Sequence, residues 1–110
     1  MPGIDFHAVK DQISMHEVLD LIRFAPHETS QQGLRGPCPI HRSQSIRSRS
    51  FAVNLEGKMY RCFKCGSAGN HLDLYATVTH QTVFQAAVEL CKKLNRPIPW
   101  VASTPKNRLL

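Results

Sequence analysis

Four residues in two close pairs carry the chemistry that this sequence can do. Cys38 and His41 form a C-x-x-H pair inside Gly-Pro-Cys-Pro-Ile-His, and Cys62 and Cys65 form a C-x-x-C pair inside Arg-Cys-Phe-Lys-Cys-Gly. Two pairs joined by a short span match the requirement of a closed tetrahedral zinc site. Each pair needs a tight turn so that its two ligand atoms converge, and the prolines beside Cys38 and the glycine after Cys65 supply turn chemistry. Thiolates and neutral imidazole suit Zn2+, and four protein ligands leave no position for a reactive water. One structural zinc ion, held by Cys38, His41, Cys62 and Cys65, is the reading. Two unrelated pairs of small buried residues is the alternative.

The remaining cysteine, Cys91, falls in an apolar helical stripe and reads as a small core residue. His71 is a spare imidazole close to the second pair, but the ligand set is already complete without it. His7, His16 and His27 have no paired spacing and are expected to face solvent. This cysteine usage is not a disulfide framework and points to a reducing cytoplasm. There is no apolar run of membrane-span length, and the first residues lack the charged and apolar regions of a signal peptide.

The chain has 110 residues, enough for one small domain whose core a metal staple would reinforce. It carries 14 basic and 8 acidic residues, a formal charge of +6. All of that excess lies between Gln31 and Gly66, where Arg35, Arg42, Arg47, Arg49, Lys58, Arg61 and Lys64 face only Glu56. A basic patch confined to one module is the electrostatic footprint of a polyanion partner, most often nucleic acid. A solvated face that serves solubility is the plainer alternative.

Helices and strands must position the two pairs. Asp5 can cap a short helix carrying Phe6, Val9 and Ile13 on one face, and Ser14-Met-His-Glu17 is a capping box opening a second helix that Pro26 stops. Arg42 to Ser50 has little to bury and reads as an exposed, mobile basic loop. Phe51 to Leu55 and Lys58 to Phe63 read as strands joined by a two-residue turn at Glu56-Gly57. Alternation puts Lys58, Tyr60 and Cys62 on one face, and Met59, Arg61 and Phe63 on the other. Asn70 caps a third helix with Asp73 in its first turn. Thr82 opens a fourth, with Phe84, Ala87, Val88, Cys91 and Leu94 at helical spacing. The expected organisation is helices over 1–30, a zinc-bearing unit with two helices over 31–95, and a proline-containing, disordered tail over 96–110, in which Trp100 folds back or faces a partner.

Taken together, Gly36-Pro-Cys38-Pro-Ile-His41, Ser50-Phe51, Tyr60-Arg-Cys62-Phe-Lys-Cys65-Gly66, Gly69-Asn70 and Asp73 resemble the N-terminal zinc-binding domain of bacterial DNA primases of the DnaG type. The resemblance covers roughly residues 4 to 95. It implies an α+β fold, a small zinc ribbon whose antiparallel sheet is flanked by short helices, with Cys38, His41, Cys62 and Cys65 as ligands. It also implies binding of single-stranded template in primer synthesis during DNA replication, beside a primase catalytic subunit or a replication helicase. The family's polymerising domain has clustered acidic residues, and this chain has no such cluster, no phosphate loop and no nucleophile-and-base set. A non-enzymatic module without small-molecule substrate or membrane partner is therefore expected. The arginine-rich Arg42–Ser50 segment departs from the family's shorter one, so template contacts do not carry over to it.

Single strands are held by cations along the backbone and by aromatics under the bases. Arg47, Arg49, Lys58, Tyr60, Arg61 and Lys64 are the expected nucleic-acid face, while Phe51 and Phe63 are expected to wedge into the core under the metal. A protein-interaction module with no nucleic-acid contact, docking through Trp100 and the tail, is the competing function.

Overall fold

The computed structural model describes residues 3–26, 28–31, 33–40 and 50–101. A short strand β1 (Gly3–Ile4) leads into helices α1 (Phe6–Gln12) and α2 (Met15–Leu21). Strands β2 (Glu28–Thr29), β3 (Leu34–Gly36), β4 (Phe51–Asn54), β5 (Met59–Cys62) and β6 (Ala68–Asn70) follow. Helices α3 (His71–Val78) and α4 (Val83–Lys93) and a last strand, β7 (Trp100–Val101), complete the chain. The five strands β2 to β6 form one antiparallel sheet in chain order, and β1 pairs with β7 apart from it. Among the described residues no helix is long and apolar enough to cross a membrane.

Local hydrogen bonding starts each helix where the sequence says it should. The Asp5 carboxylate accepts from the Ala8 N–H at 3.1 Å to open α1. Ser14 and Glu17 bond reciprocally to open α2, as do Asn70 and Asp73 for α3 and Thr82 and Gln85 for α4. Each reciprocal pair satisfies two backbone groups that a helix end leaves without partners. The inner faces of the helices bury Val9, Ile13, Met15, Val18, Leu72, Tyr75, Ala87, Leu90 and Cys91 against the sheet residues Phe51, Val53 and Tyr60.

Three expectations need correction. The β4–β5 connection is four residues long, because Asn54 pairs with Met59. The Asn54 carboxamide accepts from the Gly57 N–H at 2.8 Å, and Lys58, not Gly57, takes the left-handed conformation at φ 55°. In α4 the buried stripe is Ala86, Ala87, Leu90 and Cys91; Phe84 is turned outward, its ring 6.2 Å from that of Trp100. The region from Arg96 to Val101, assigned to a disordered tail, is tied down. Arg96 pairs with Glu17, the Pro97 carbonyl accepts from the Gln12 side chain at 2.8 Å, and the Pro99 carbonyl accepts from the Asp5 N–H at 2.9 Å. Trp100 and Val101 then pair with Ile4 and Gly3. The rest of that tail, 102–110, and the basic loop over 42–49 lie outside the described residues.

Candidate metal centre and the adjoining sheet face

The first cysteine turn leaves the end of β3. Gly36 is buried there, and a Cβ on it would come within 3.1 Å of both the Phe24 ring and the Pro26 backbone, so this approach suits glycine. Beyond it the Cys38 sulfur accepts from the Ile40 N–H at 3.4 Å. The second turn leaves the end of β5. The Cys62 sulfur accepts from the Cys65 N–H at 3.3 Å, and the Cys62 carbonyl accepts from the Gly66 N–H at 3.0 Å. Gly66 adopts φ 81°, a left-handed step that a side chain would strain.

These turns bring Cys38, Cys62 and Cys65 together, with their sulfurs all within 4.8 Å of one another and Cys38 4.0 Å from Cys65. A tetrahedral ion with metal–sulfur bonds of about 2.3 Å sets its sulfurs about 3.8 Å apart. Three soft donors at this spacing fit zinc. Cys38 and Cys62 are buried and Cys65 is exposed. Burial alone would push the Cys62 thiol up. The N–H groups of Cys65 and Lys64 and the neighbouring sulfurs of Cys65 and Cys38 outweigh it, bringing the pKa down from 9.0 to about 6. A thiol poised this way meets a metal already largely as thiolate at neutral pH. His41, the fourth ligand expected from the sequence, lies outside the described residues.

A buried aromatic stack supports the second turn. Phe51 lies between Phe24, at 5.3 Å, and Tyr60, at 5.5 Å between ring centroids. The Tyr60 hydroxyl hydrogen-bonds the Ser67 hydroxyl at 2.9 Å, and the Ser67 carbonyl accepts from the Cys62 N–H at 2.8 Å. Tyr60 thus braces the metal turn from within the core. Its expected place on an exposed nucleic-acid face is corrected: it is 3% exposed. The predicted alternation holds, with Tyr60 and Cys62 inward and Met59, Arg61 and Phe63 outward. The side on which Phe63 lies is also corrected, since it is 60% exposed and not in the core.

Of the other expected contacts, Arg61 and Lys64 are exposed beside the metal turn. Lys58 is half-buried and donates its ammonium to the Lys10 carbonyl at 2.7 Å, so it caps the end of α1 and does not join that group. Arg47 and Arg49 fall outside the described residues. Sequence reasoning did not select Arg35 for this face. Arg35 pairs across the sheet with Ala52, which pairs with Arg61, so the two arginines flank one small residue. Both guanidinium carbons sit over the Phe63 ring, at 5.3 Å for Arg35 and 5.1 Å for Arg61. The alternation of Leu34 and Arg35 is the signal that could have found it, had that segment been read as a strand.

The family described as CHC2 zinc finger matches residues 4–105 of this chain. DNA primase of Salmonella typhimurium is 29% identical over 97 residues, covering 87% of this chain and 16% of that protein. DNA primase of Escherichia coli K12 is 27% identical over 103 residues, covering 92% of this chain and 17% of that protein. The solved structure of the Aquifex aeolicus primase, comprising zinc-binding and RNA polymerase domains, superposes with a TM-score of 0.69 at 23% identity, covering 86% of this chain and 22% of that one. The chain therefore spans about a sixth of the length of these curated relatives.

Proposed function

The chain belongs to the CHC2 zinc-finger family, and from that membership we propose that it is a module that binds single-stranded DNA template for primer synthesis in DNA replication. One zinc ion goes with the three-cysteine cluster. In our reading Cys38, His41, Cys62 and Cys65 hold it, and the full shell makes it a structural ion that fixes both turns. The module is not itself an enzyme. A separate primase catalytic subunit, acting with or through a replication helicase, supplies the polymerising chemistry. Its thiolate ligands suit a reducing cytoplasm.

The observation that carries this reading is the outer face of the sheet beside the metal turn. Arg35, Arg61 and Lys64 offer positive charge to a phosphate backbone, and the exposed Phe63 ring offers a stacking platform. An unpaired base presents its own face to such a ring, and a base–aromatic stack is worth about 1–3 kcal/mol. Duplex DNA hides those faces, so the arrangement favours single strands.

The test is binding of single-stranded against double-stranded DNA at two salt concentrations, with zinc measured on the same sample. Three phosphate contacts on a single strand predict roughly a twentyfold loss of affinity for a fourfold rise in salt. Absence of single-strand binding at low salt would refute the proposal.

A second reading, a protein-interaction module, has one feature in its favour. Phe84, Val88 and Trp100 line an open groove of about 470 Å3 between α4 and β7. It predicts partner binding with little salt dependence and no affinity for DNA.

A further inference from the structure

We propose that the groove between α4 and β7 is a docking site for a protein partner that presents a short acidic segment with a large apolar side chain. The groove shares no residue with the sheet face beside the metal turn, so the inference does not depend on DNA binding. Its walls come from one side of α4, at Phe84, Gln85, Val88, Glu89 and Lys92, and from Trp100 of β7. Phe84 is 37% and Trp100 51% exposed, with ring centroids 6.2 Å apart. With Val88 they line a space of about 470 Å3. Contiguous apolar surface of this kind marks an interaction site, where a single exposed apolar residue would not.

The polar groups around that space select the partner's charge. Glu89, the acid in the wall, is already engaged: its carboxylate accepts from the Tyr75 hydroxyl and from the Gln81 amide at 3.2 Å. The Gln81 oxygen is buried, and the Gln85 oxygen accepts from the Thr82 N–H at 3.1 Å. What the rim still offers is donors. The Lys92 ammonium, the Gln85 side-chain nitrogen and the Trp100 indole N–H have no acceptor among the described residues. A carboxylate complements three donors, one of which carries a full charge. Residues 102–110 of the chain itself carry Lys106 and Arg108 and no acidic side chain, and a second copy brings a formal charge of +6, so neither matches.

The helix also sets the spacing within the partner. Phe84 and Lys92 are separated by about 12 Å of helix axis. An extended peptide rises about 3.3 Å per residue, so its apolar anchor and its carboxylate stand about three or four residues apart.

Trp100 is the chain's one tryptophan, so its fluorescence reports on the groove. The experiment titrates the zinc-loaded full chain with the tryptophan-free, end-blocked peptide Gly-Leu-Phe-Ser-Gly-Glu-Glu-Gly. Binding should move the emission to shorter wavelength as the indole leaves water. Serines in place of Leu-Phe should weaken binding by about tenfold or more. Lysines in place of the two glutamates should weaken it about threefold. Lys92→Glu should reverse the order of the glutamate and lysine peptides, and Phe84→Ala should weaken both. Both side chains are exposed, so the variants should keep their zinc and their circular dichroism spectra. No emission change with the glutamate peptide at millimolar concentration overturns the proposal, as does an unaltered order of affinities in Lys92→Glu. Emission of the free chain that varies with protein concentration would assign the groove to a second copy. Emission that shifts on deletion of 102–110 would assign it to the chain's own end, and either result also overturns the proposal. A thymidine oligomer at low salt should leave the emission unchanged and should not displace the peptide; displacement would put the peptide on the strand-binding face and overturn the groove. If the peptide binds and polarisation shows no oligomer binding, the groove stands and the single-strand function falls.

Discussion

Replacing Tyr60 and Phe63 one at a time separates the part of the sheet that supports the metal from the part offered to a strand. Tyr60 is 3% exposed, stacks on Phe51 at 5.5 Å and bonds Ser67 at 2.9 Å. Truncating a buried aromatic to alanine costs about 3–5 kcal/mol, a large share of the roughly 5–15 kcal/mol that keeps a domain folded. Tyr60→Phe is gentler: it keeps the stack and removes one neutral hydrogen bond, for about 0.5–1.5 kcal/mol. Phe63 is 60% exposed and touches two guanidinium groups, contacts worth about 0.5–1 kcal/mol each at exposed sites. Phe63→Ala should therefore lower stability by no more than about 1–2 kcal/mol. It should weaken single-strand binding by about 1–3 kcal/mol, or roughly five- to 150-fold. The assays are urea unfolding of the zinc-loaded protein and polarisation with a single-stranded oligomer. Tyr60→Phe should move the first and leave the second; Phe63→Ala should move the second, whatever its effect of at most about 1–2 kcal/mol on the first. A Tyr60→Phe protein with an unchanged urea midpoint and a tenfold loss of DNA affinity would refute the assignment of the two faces.

Chelating the metal at neutral pH should collapse the fold, because zinc in small structural sites carries on the order of 10–16 kcal/mol of binding free energy that appears as folding free energy. Near-native circular dichroism of metal-free protein with Cys38→Ser and Cys62→Ser combined would contradict this. His71 is fully buried, and among the described residues neither ring nitrogen has a hydrogen-bond partner. Burial first, then the Lys58 charge, hold its pKa below 6.5, with the backbone of Ile13 and Lys10 acting weakly the other way. The unfolded chain takes up that proton more readily, so this contribution to stability is complete above about pH 6.5 and is lost as pH falls below it. His71→Leu should therefore gain stability relative to wild type between pH 7.5 and 5.5, and a constant difference in urea midpoint would argue against it. Gly33→Ala should destabilise by well over 1 kcal/mol in thermal unfolding, because the added Cβ collides with the Val53 carbonyl oxygen and backbone must move. An unchanged melting temperature would show that the β3 backbone yields more easily than its contacts imply.

The three cysteines that come together were legible because their information is local. Two ligands three residues apart, with proline and glycine beside them, specify a turn whatever the rest of the chain does. Helix starts were legible for the same reason: Ser14 with Glu17 and Asn70 with Asp73 act within one turn. Alternation along β5 correctly divided its residues between two faces, but it carries no label for the inner one. That depends on Phe51, which stacks on Tyr60 from the neighbouring strand and is itself packed against Phe24 from a distant part of the sequence. Arg35 was missed because β3 is only three residues long and ends in glycine; its strand character comes from pairing Leu34 with Val53 and Arg35 with Ala52. The turn after β4 was misread because Asn54 closes it with a side chain, and this lets Lys58 adopt the left-handed step usually given to glycine. In α4, helical spacing identified Ala87 and Cys91 but placed Phe84 inward, although Trp100 draws it to the surface from the far end of the sequence.

The pairing of β1 with β7 sets Gly3 directly opposite Val101. Polypeptide arriving at the first strand and polypeptide leaving the last one share a single doorway. Cargo joined directly at Gly3 or at Val101 would therefore set out from the same corner of the domain.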